Sequence, residues 1–205
     1  MTNNNIYFIA NWKMFGSVKL VNSLNNVISY SKKNKHKAKI VYCPPYTLLK
    51  SFVDKTKNSN IEIGAQDCHI NSDYGPYTGA ISSKMIKDLG AKFVIIGHSE
   101  TREENDNKKI NLKIKSALNK KLNVIFCIGE KLIDKKKNKT KFVLKKQLLE
   151  GLKNLNKLNK VIIAYEPVWS IGTGIIPTKN NLIKNIKFIK YTLKKSKRFP
   201  KSKVL

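Results

Sequence analysis

Six short apolar runs are spaced along this chain: Ile6–Ala10, Ala38–Cys43, Ile61–Ala65, Lys92–Ile96, Leu122–Ile128 and Val161–Tyr165. They are rich in Ile and Val and do not alternate with polar residues. Unbroken apolarity over so short a length marks strands buried on both faces, as in a parallel sheet. Amphipathic segments lie between them. Val18, Val21, Leu24, Val27 and Ile28 are expected to share one helical face. So are Ile110, Ile114, Ala117 and Leu118, and so are Phe142, Val143, Leu148, Leu149 and Leu152. A further helix is predicted from Thr178, its N-cap, with Leu182, Ile186, Ile189 and Leu193 facing inward. Strand alternating with helix is the pattern of stacked βαβ units. Ser202–Leu205 reads as the start of a seventh strand. No linker or low-complexity segment divides the chain, so one domain over residues 1–205 is expected.

Composition changes this picture little. The apolar share of 41% supports a core in a chain of 205 residues. The net charge of +28 invites a nucleic-acid reading. The charge is nearly all Lys, however, spread along the chain, and only Arg102 and Arg198 are Arg. Specific phosphate and base recognition recruits Arg. No specific nucleic-acid partner is therefore expected. The charge favours weak, salt-sensitive contact with polyanions and attraction of an anionic substrate. Cys43, Cys68 and Cys127 lie far apart with no zinc-like spacing, so they read as reduced thiols, consistent with a cytoplasmic protein. Met1–Asn5 has neither the basic start nor the apolar core of a signal peptide, and no run is long enough to span a membrane.

Polar chemistry gathers just after the apolar runs. Asn11 and Lys13 follow the first, Gln66 the third, and Gly97-His98-Ser99-Glu100 the fourth. Gly129-Glu130 follows the fifth and Glu166 the sixth. In parallel α/β folds, sites form at the C-terminal ends of strands. Glu166 also opens a distinctive stretch, Pro167-Val168-Trp169-Ser170-Ile171-Gly172-Thr173-Gly174. Proline stiffens its start and the glycines free its end, which describes a hinged flap weighted by Trp169. Read alone, the stretch also fits a strand, a turn and an exposed glutamate.

Asn11-Trp12-Lys13-Met14, Gly64-Ala65-Gln66-Asp67, Tyr77-Thr78-Gly79, Gly97-His98-Ser99-Glu100, Cys127-Ile128-Gly129-Glu130 and Ala164–Gly174 together resemble the triosephosphate isomerase family in order and spacing. The resemblance runs from residue 6 to the end of the chain. It implies a (β/α)8 TIM barrel, no cofactor, no metal, and usually a homodimer. The implied reaction interconverts dihydroxyacetone phosphate and D-glyceraldehyde 3-phosphate through an enediol(ate), in glycolysis and gluconeogenesis. Glu166 matches the family's base and His98 its electrophile, a neutral imidazole polarising the carbonyl. Lys13 matches the substrate-binding lysine and Asn11 a neighbouring polar contact. Gly172 is expected to offer its N–H to phosphate on flap closure. Ser99, Glu100 and Cys127 read as support, Glu100 as a second acid buried near Lys13 and His98. The loop Gln66–Ala80 matches the segment that enters the partner subunit, with Thr78 at its tip.

Two departures stand out. Thr101 occupies a position where many members carry the first of two arginines, while Arg102 remains. A full barrel also runs to roughly 250 residues, so about six to six-and-a-half βα units are expected here. The end of strand seven, strand eight and the last helix, with half the phosphate cradle, would then be lacking. That leaves a competing reading, a non-catalytic remnant or binding protein of the same fold.

Overall fold

The computed structural model describes residues 6–34, 38–156, 158–196 and 203–205. Met1–Asn5, Arg198 and Ser202 lie outside the described residues. Seven strands form one parallel sheet: β1 Ile6–Asn11, β2 Ala38–Cys43, β3 Ile61–Ala65, β4 Phe93–Ile96, β5 Asn123–Ile128, β6 Val161–Tyr165 and β7 Lys203–Val204. Spatial order equals chain order, β1 through β7. Each strand returns parallel to its predecessor, which requires a crossover every time. The crossovers carry α1 Leu24–Lys33, α2 Tyr46–Thr56, α3 Ser83–Asp88, α4 Asn107–Asn119, α5 Leu132–Lys136, α6 Thr140–Gly151 and α7 Lys179–Lys195. Among the described residues, no helix is long and apolar enough to cross a membrane.

The sheet curls, and strand alternation divides the apolar residues into two cores. Ile40, Val94, Ile96, Val124, Phe126, Val161 and Ile163 face outward to the helices, where Leu49, Phe52, Ile86, Ile110, Ile114, Leu144 and Leu148 meet them. Val41, Cys43, Phe93, Ile95, Ile125, Cys127 and Ile162 face inward and pack on one another with Tyr7 and Ile9. Both faces of the central strands are therefore dry, which is why their sequences do not alternate. The curl brings the two outer strands toward each other. Lys203 Nζ lies 3.2 Å from Tyr7 Oη and 4.8 Å from the centre of its ring. This is a curled α/β sheet of the TIM-barrel type.

Helix ends follow their capping residues. Asp106 accepts the Lys109 N–H at the start of α4, and Thr178 accepts the Asn181 N–H at the start of α7, as expected. Three expected core positions are corrected. Val18 is 70% exposed, because residues Val18–Ser23 form a 3-10 turn and the α-helical period begins only at Leu24. Phe142 and Leu149 are exposed, because the buried stripe of α6 runs through Leu144, Gln147, Leu148 and Gly151. Gln147 holds a place in that stripe because its amide has a buried task, described below.

Candidate active site

The C-terminal ends of β1, β4, β5 and β6 surround a cavity of about 250 Å3 inside the curl. Asn11, His98, Cys127 and Glu166 line it, with Tyr7, Ile9 and Leu205 among its walls. Four of the residues singled out in the sequence thus meet in one place, from chain positions more than 150 apart by number.

His98 is delivered by β4 through Gly97, whose φ of +76° lies in the left-handed region. A Cβ there would come within 3.2 Å of the Cys127 carbonyl oxygen. The turn after His98 is a single 3-10 turn, Ser99–Thr101. Its geometry matters for chemistry. The Glu100 backbone N–H donates to His98 Nδ1 over 3.3 Å, an arrangement that suits a proton on Nε2. Nε2 stands 3.6 Å from Oε2 of Glu166. His98 is buried, while the Glu166 side chain keeps 45% of its exposure.

Glu166 leaves β6 at the mouth of the curl, and its backbone N–H donates to the Ile128 carbonyl over 2.9 Å. Gly129 makes that approach possible: a Cβ at Gly129 would lie 1.9 Å from the Glu166 carbonyl oxygen. Gly129 is itself held by Gln147. Its N–H donates to Gln147 Oε1 over 2.9 Å, and its C=O accepts from Nε2 over 3.0 Å. Cys127 beside it is buried, and burial, with the nearby Glu166 carboxylate, pushes its thiol pKa well up. Its carbonyl accepts from Arg102, which also donates to Asn107 Oδ1. Arg102 therefore ties the end of β5 to the start of α4 without a carboxylate partner among the described residues. Burial lowers its pKa to about 10. Ser99 and Arg102 share a narrow cleft with Glu166.

Lys13 adopts a left-handed φ of 51°, uncommon for a residue with a Cβ. Three contacts hold it there. Its N–H donates to Asn11 Oδ1 over 2.9 Å, and its C=O accepts from Gln66 Nε2 over 2.8 Å. The adjoining Trp12 ring packs edge-on against Phe52, centroids 4.8 Å apart. Lys13 Nζ then pairs with Glu100 Oε1 at 2.9 Å, and Glu100 Oε2 lies 3.4 Å from His98 Nδ1. Glu100 is near both partners as expected, but it is not buried: its side chain is 52% exposed. The 3-10 turn carries it on its solvent side.

The flap begins at Pro167, φ −58°, and continues as a 3-10 turn, Val168–Ser170. Trp169 is buried, and its indole N–H donates to Glu130 Oε1 over 2.8 Å. Glu130 is 1% exposed and accepts from Tyr165 Oη at both oxygens, while Asn185 Nδ2 donates to that hydroxyl. Burial and the Glu130 carboxylate push the Tyr165 pKa upward, so the phenol stays a donor. Gly172 is exposed further along the flap and does not line the cavity. Thr78 is likewise exposed and outside it, on the loop between β3 and α3. Reasoning from sequence missed the tasks of Gln66, Glu130, Gln147 and Asn185. The first two stand at strand ends, which was the available signal; the latter two are helical and carried none.

Comparison with known proteins bears on the family and the fold. Residues 6–204 match the family model described as triosephosphate isomerase. A triosephosphate isomerase of Wolbachia sp. subsp. Brugia malayi is 42% identical over 192 residues, covering 91% of this chain and 77% of the relative. One from Dictyoglomus thermophilum is 45% identical over 169 residues, covering 80% of this chain and 68% of the relative. The crystal structure of triosephosphate isomerase from Bartonella henselae superposes with a TM-score of 0.87 at 32% identity, covering 98% of this chain and 81% of that one. With its fold, its strand-end polar groups and these relatives in agreement, the chain belongs to the triosephosphate isomerase family.

Proposed function

We propose that this chain interconverts dihydroxyacetone phosphate and D-glyceraldehyde 3-phosphate, with Glu166 as base, His98 as electrophile and Lys13 as the substrate-binding cation. The observation that carries the reading is the approach of His98 Nε2 and Glu166 Oε2 to 3.6 Å at the wall of one cavity. Isomerisation moves a proton between two adjacent carbons while the carbonyl moves the other way. It needs one base reaching both carbons and one donor reaching both oxygens. Glu166 takes the proton from the carbon frame, and the His98 Nε2–H donates to the oxygen on which charge develops. The Glu100 N–H on Nδ1 supports a fixed, neutral tautomer. Lys13 offsets the phosphate and enediolate charge, with Asn11 and Gln66 holding its backbone. Asn11 contacts substrate beside it. Ser99, Glu100 and Cys127 position these groups rather than react.

Flap closure shields the enediolate from water, and Gly172 then gives its N–H to phosphate. Trp169 anchors that motion through Glu130. One domain serves the whole reaction, in the cytoplasm. It functions as a homodimer in which the loop Gln66–Ala80, led by Thr78, enters a second copy. Met14 (94% exposed), Phe15, Tyr74 and Tyr77 supply the apolar surface for that contact.

The test is a coupled isomerase assay in both directions. Turnover that falls by about 10²–10⁴ in Glu166→Gln supports the reading. No turnover of either triose phosphate by the folded protein contradicts it.

A further inference from the structure

A second cavity, about 450 Å3, opens beside the flap and is larger than the catalytic one. That volume falls within the ordinary range for small-molecule sites. Pro167 and Pro177, which bracket the flap, both line it. The catalytic scheme gives it no role.

Its charge is lopsided. Lys135 from α5, Lys141 from α6 and Lys184 from α7 line it, and none of the three pairs with a carboxylate among the described residues. The acid in its lining is Glu130, which is 1% exposed and already accepts from Tyr165 and Trp169. Amides of Asn181 and Asn185 add neutral donors from α7. Three lysines lining a concave, amide-lined space, with the Lys141 Nζ 5.6 Å from the centre of the Phe188 ring, suit a compact ligand with more than one negative charge.

We propose that this cavity is a regulatory site for a small polyvalent anion of the phosphate-ester or polyphosphate class. Lys141 and Lys184 grip the anion from α6 and α7. Its occupancy ties the two ends of the flap to those helices and slows turnover. Binding stands apart from the isomerase reading; the effect on turnover rests on it. Lys135 links the two, because its Nζ sits 3.3 Å from the centre of the Trp169 ring. An anion that draws Lys135 away changes the surroundings of that indole.

The chain has two tryptophans, so a 1H–15N spectrum carries two indole signals, and Trp169→Phe identifies one. Inorganic pyrophosphate is the probe, titrated at constant ionic strength. The Trp169 signal is expected to shift saturably, and the Trp12 signal reports that each variant is folded. In Lys141→Gln/Lys184→Gln the apparent Kd is expected to rise about tenfold or more, two cations having been removed. In Lys13→Gln, which disables the catalytic cation, the shift is expected to persist. No shift, a shift unchanged in the double lysine variant, or one abolished by Lys13→Gln overturns the site. In kinetics, pyrophosphate is expected to lower kcat in the wild type and not in the double variant. Inhibition that is purely competitive with triose phosphate overturns the regulatory role.

Discussion

The Nε2 atom of His98 stands 3.6 Å from Oε2 of Glu166, although the two residues come from different strand ends of the curled sheet. That separation is too long for a good hydrogen bond and short enough for both groups to serve one pair of carbons. Groups that serve one step lose it together. Glu166→Gln and His98→Gln are each expected to lower kcat/KM by about 10²–10⁴ with little change in Tm. The double variant is expected to be nearly as active as the worse single one. Coupled assays with circular dichroism melts check this. Losses that multiply would separate the two roles.

Gly129 packs against Glu166 and does not line the cavity. Its missing Cβ leaves room for the Glu166 carbonyl, which would otherwise be 1.9 Å away. Both atoms belong to strand ends and neither can rotate aside. Gly129→Ala is therefore expected to lower Tm and to cut kcat with the catalytic side chains all present. Gly172→Ala is the contrast. An added Cβ meets nothing within 4 Å, and only the φ of +70° opposes it, a cost of about 1–2 kcal/mol confined to the flap. Unchanged Tm in Gly129→Ala would contradict the packing account.

Gln147 completes the same corner. Its buried amide satisfies both the N–H and the C=O of Gly129. Gln147→Leu keeps the volume and orphans both groups, at about 1–3 kcal/mol each. Gln147→Glu keeps the acceptor alone and is expected to fall between. Urea midpoints rank the three proteins; a Leu variant as stable as the wild type contradicts the assignment.

How far the sequence foretold this architecture depends on the range of each interaction. Six strands were legible as Ile and Val runs; runs such as Val161–Tyr165 are buried on both faces as expected, whereas β1 leaves Ile6 60% and Phe8 57% exposed. The meeting of His98 and Glu166 was legible because polar groups collect where such runs end, whereas Lys13 pairs with Glu100 and does not line the cavity. Val18, Phe142 and Leu149 were misplaced, since a helical period says nothing of where the helix begins or which neighbour covers its second face. The Gln147–Gly129 and Glu130–Trp169 pairs bridge 18 and 39 residues, and no local pattern announces them. Glu100 was expected to be buried from the family resemblance; a single 3-10 turn was enough to turn it outward.

The three cysteines yield a prediction about pH. Cys43, Cys68 and Cys127 are buried and free, and burial lifts the first two thiols to about 12. At pH 8 a thiol reagent is expected to label none of them until denaturant is added. An unfolded thiol ionises at a normal value near 8.5, so between there and about 12 the folded state binds more protons. Stability is therefore full below about pH 8.5 and falls as pH rises toward 12. Rapid labelling of the native protein would contradict the burial.

Deuterium tracks the central step most directly. D-glyceraldehyde 3-phosphate converted in D2O should yield dihydroxyacetone phosphate carrying solvent deuterium at C1, read by NMR. A base holding the proton on a carboxylate exchanges it with solvent, so the account predicts deuterium incorporation in the wild type and loss of both conversion and incorporation in Glu166→Gln. Conversion and incorporation undiminished in Glu166→Gln would contradict it.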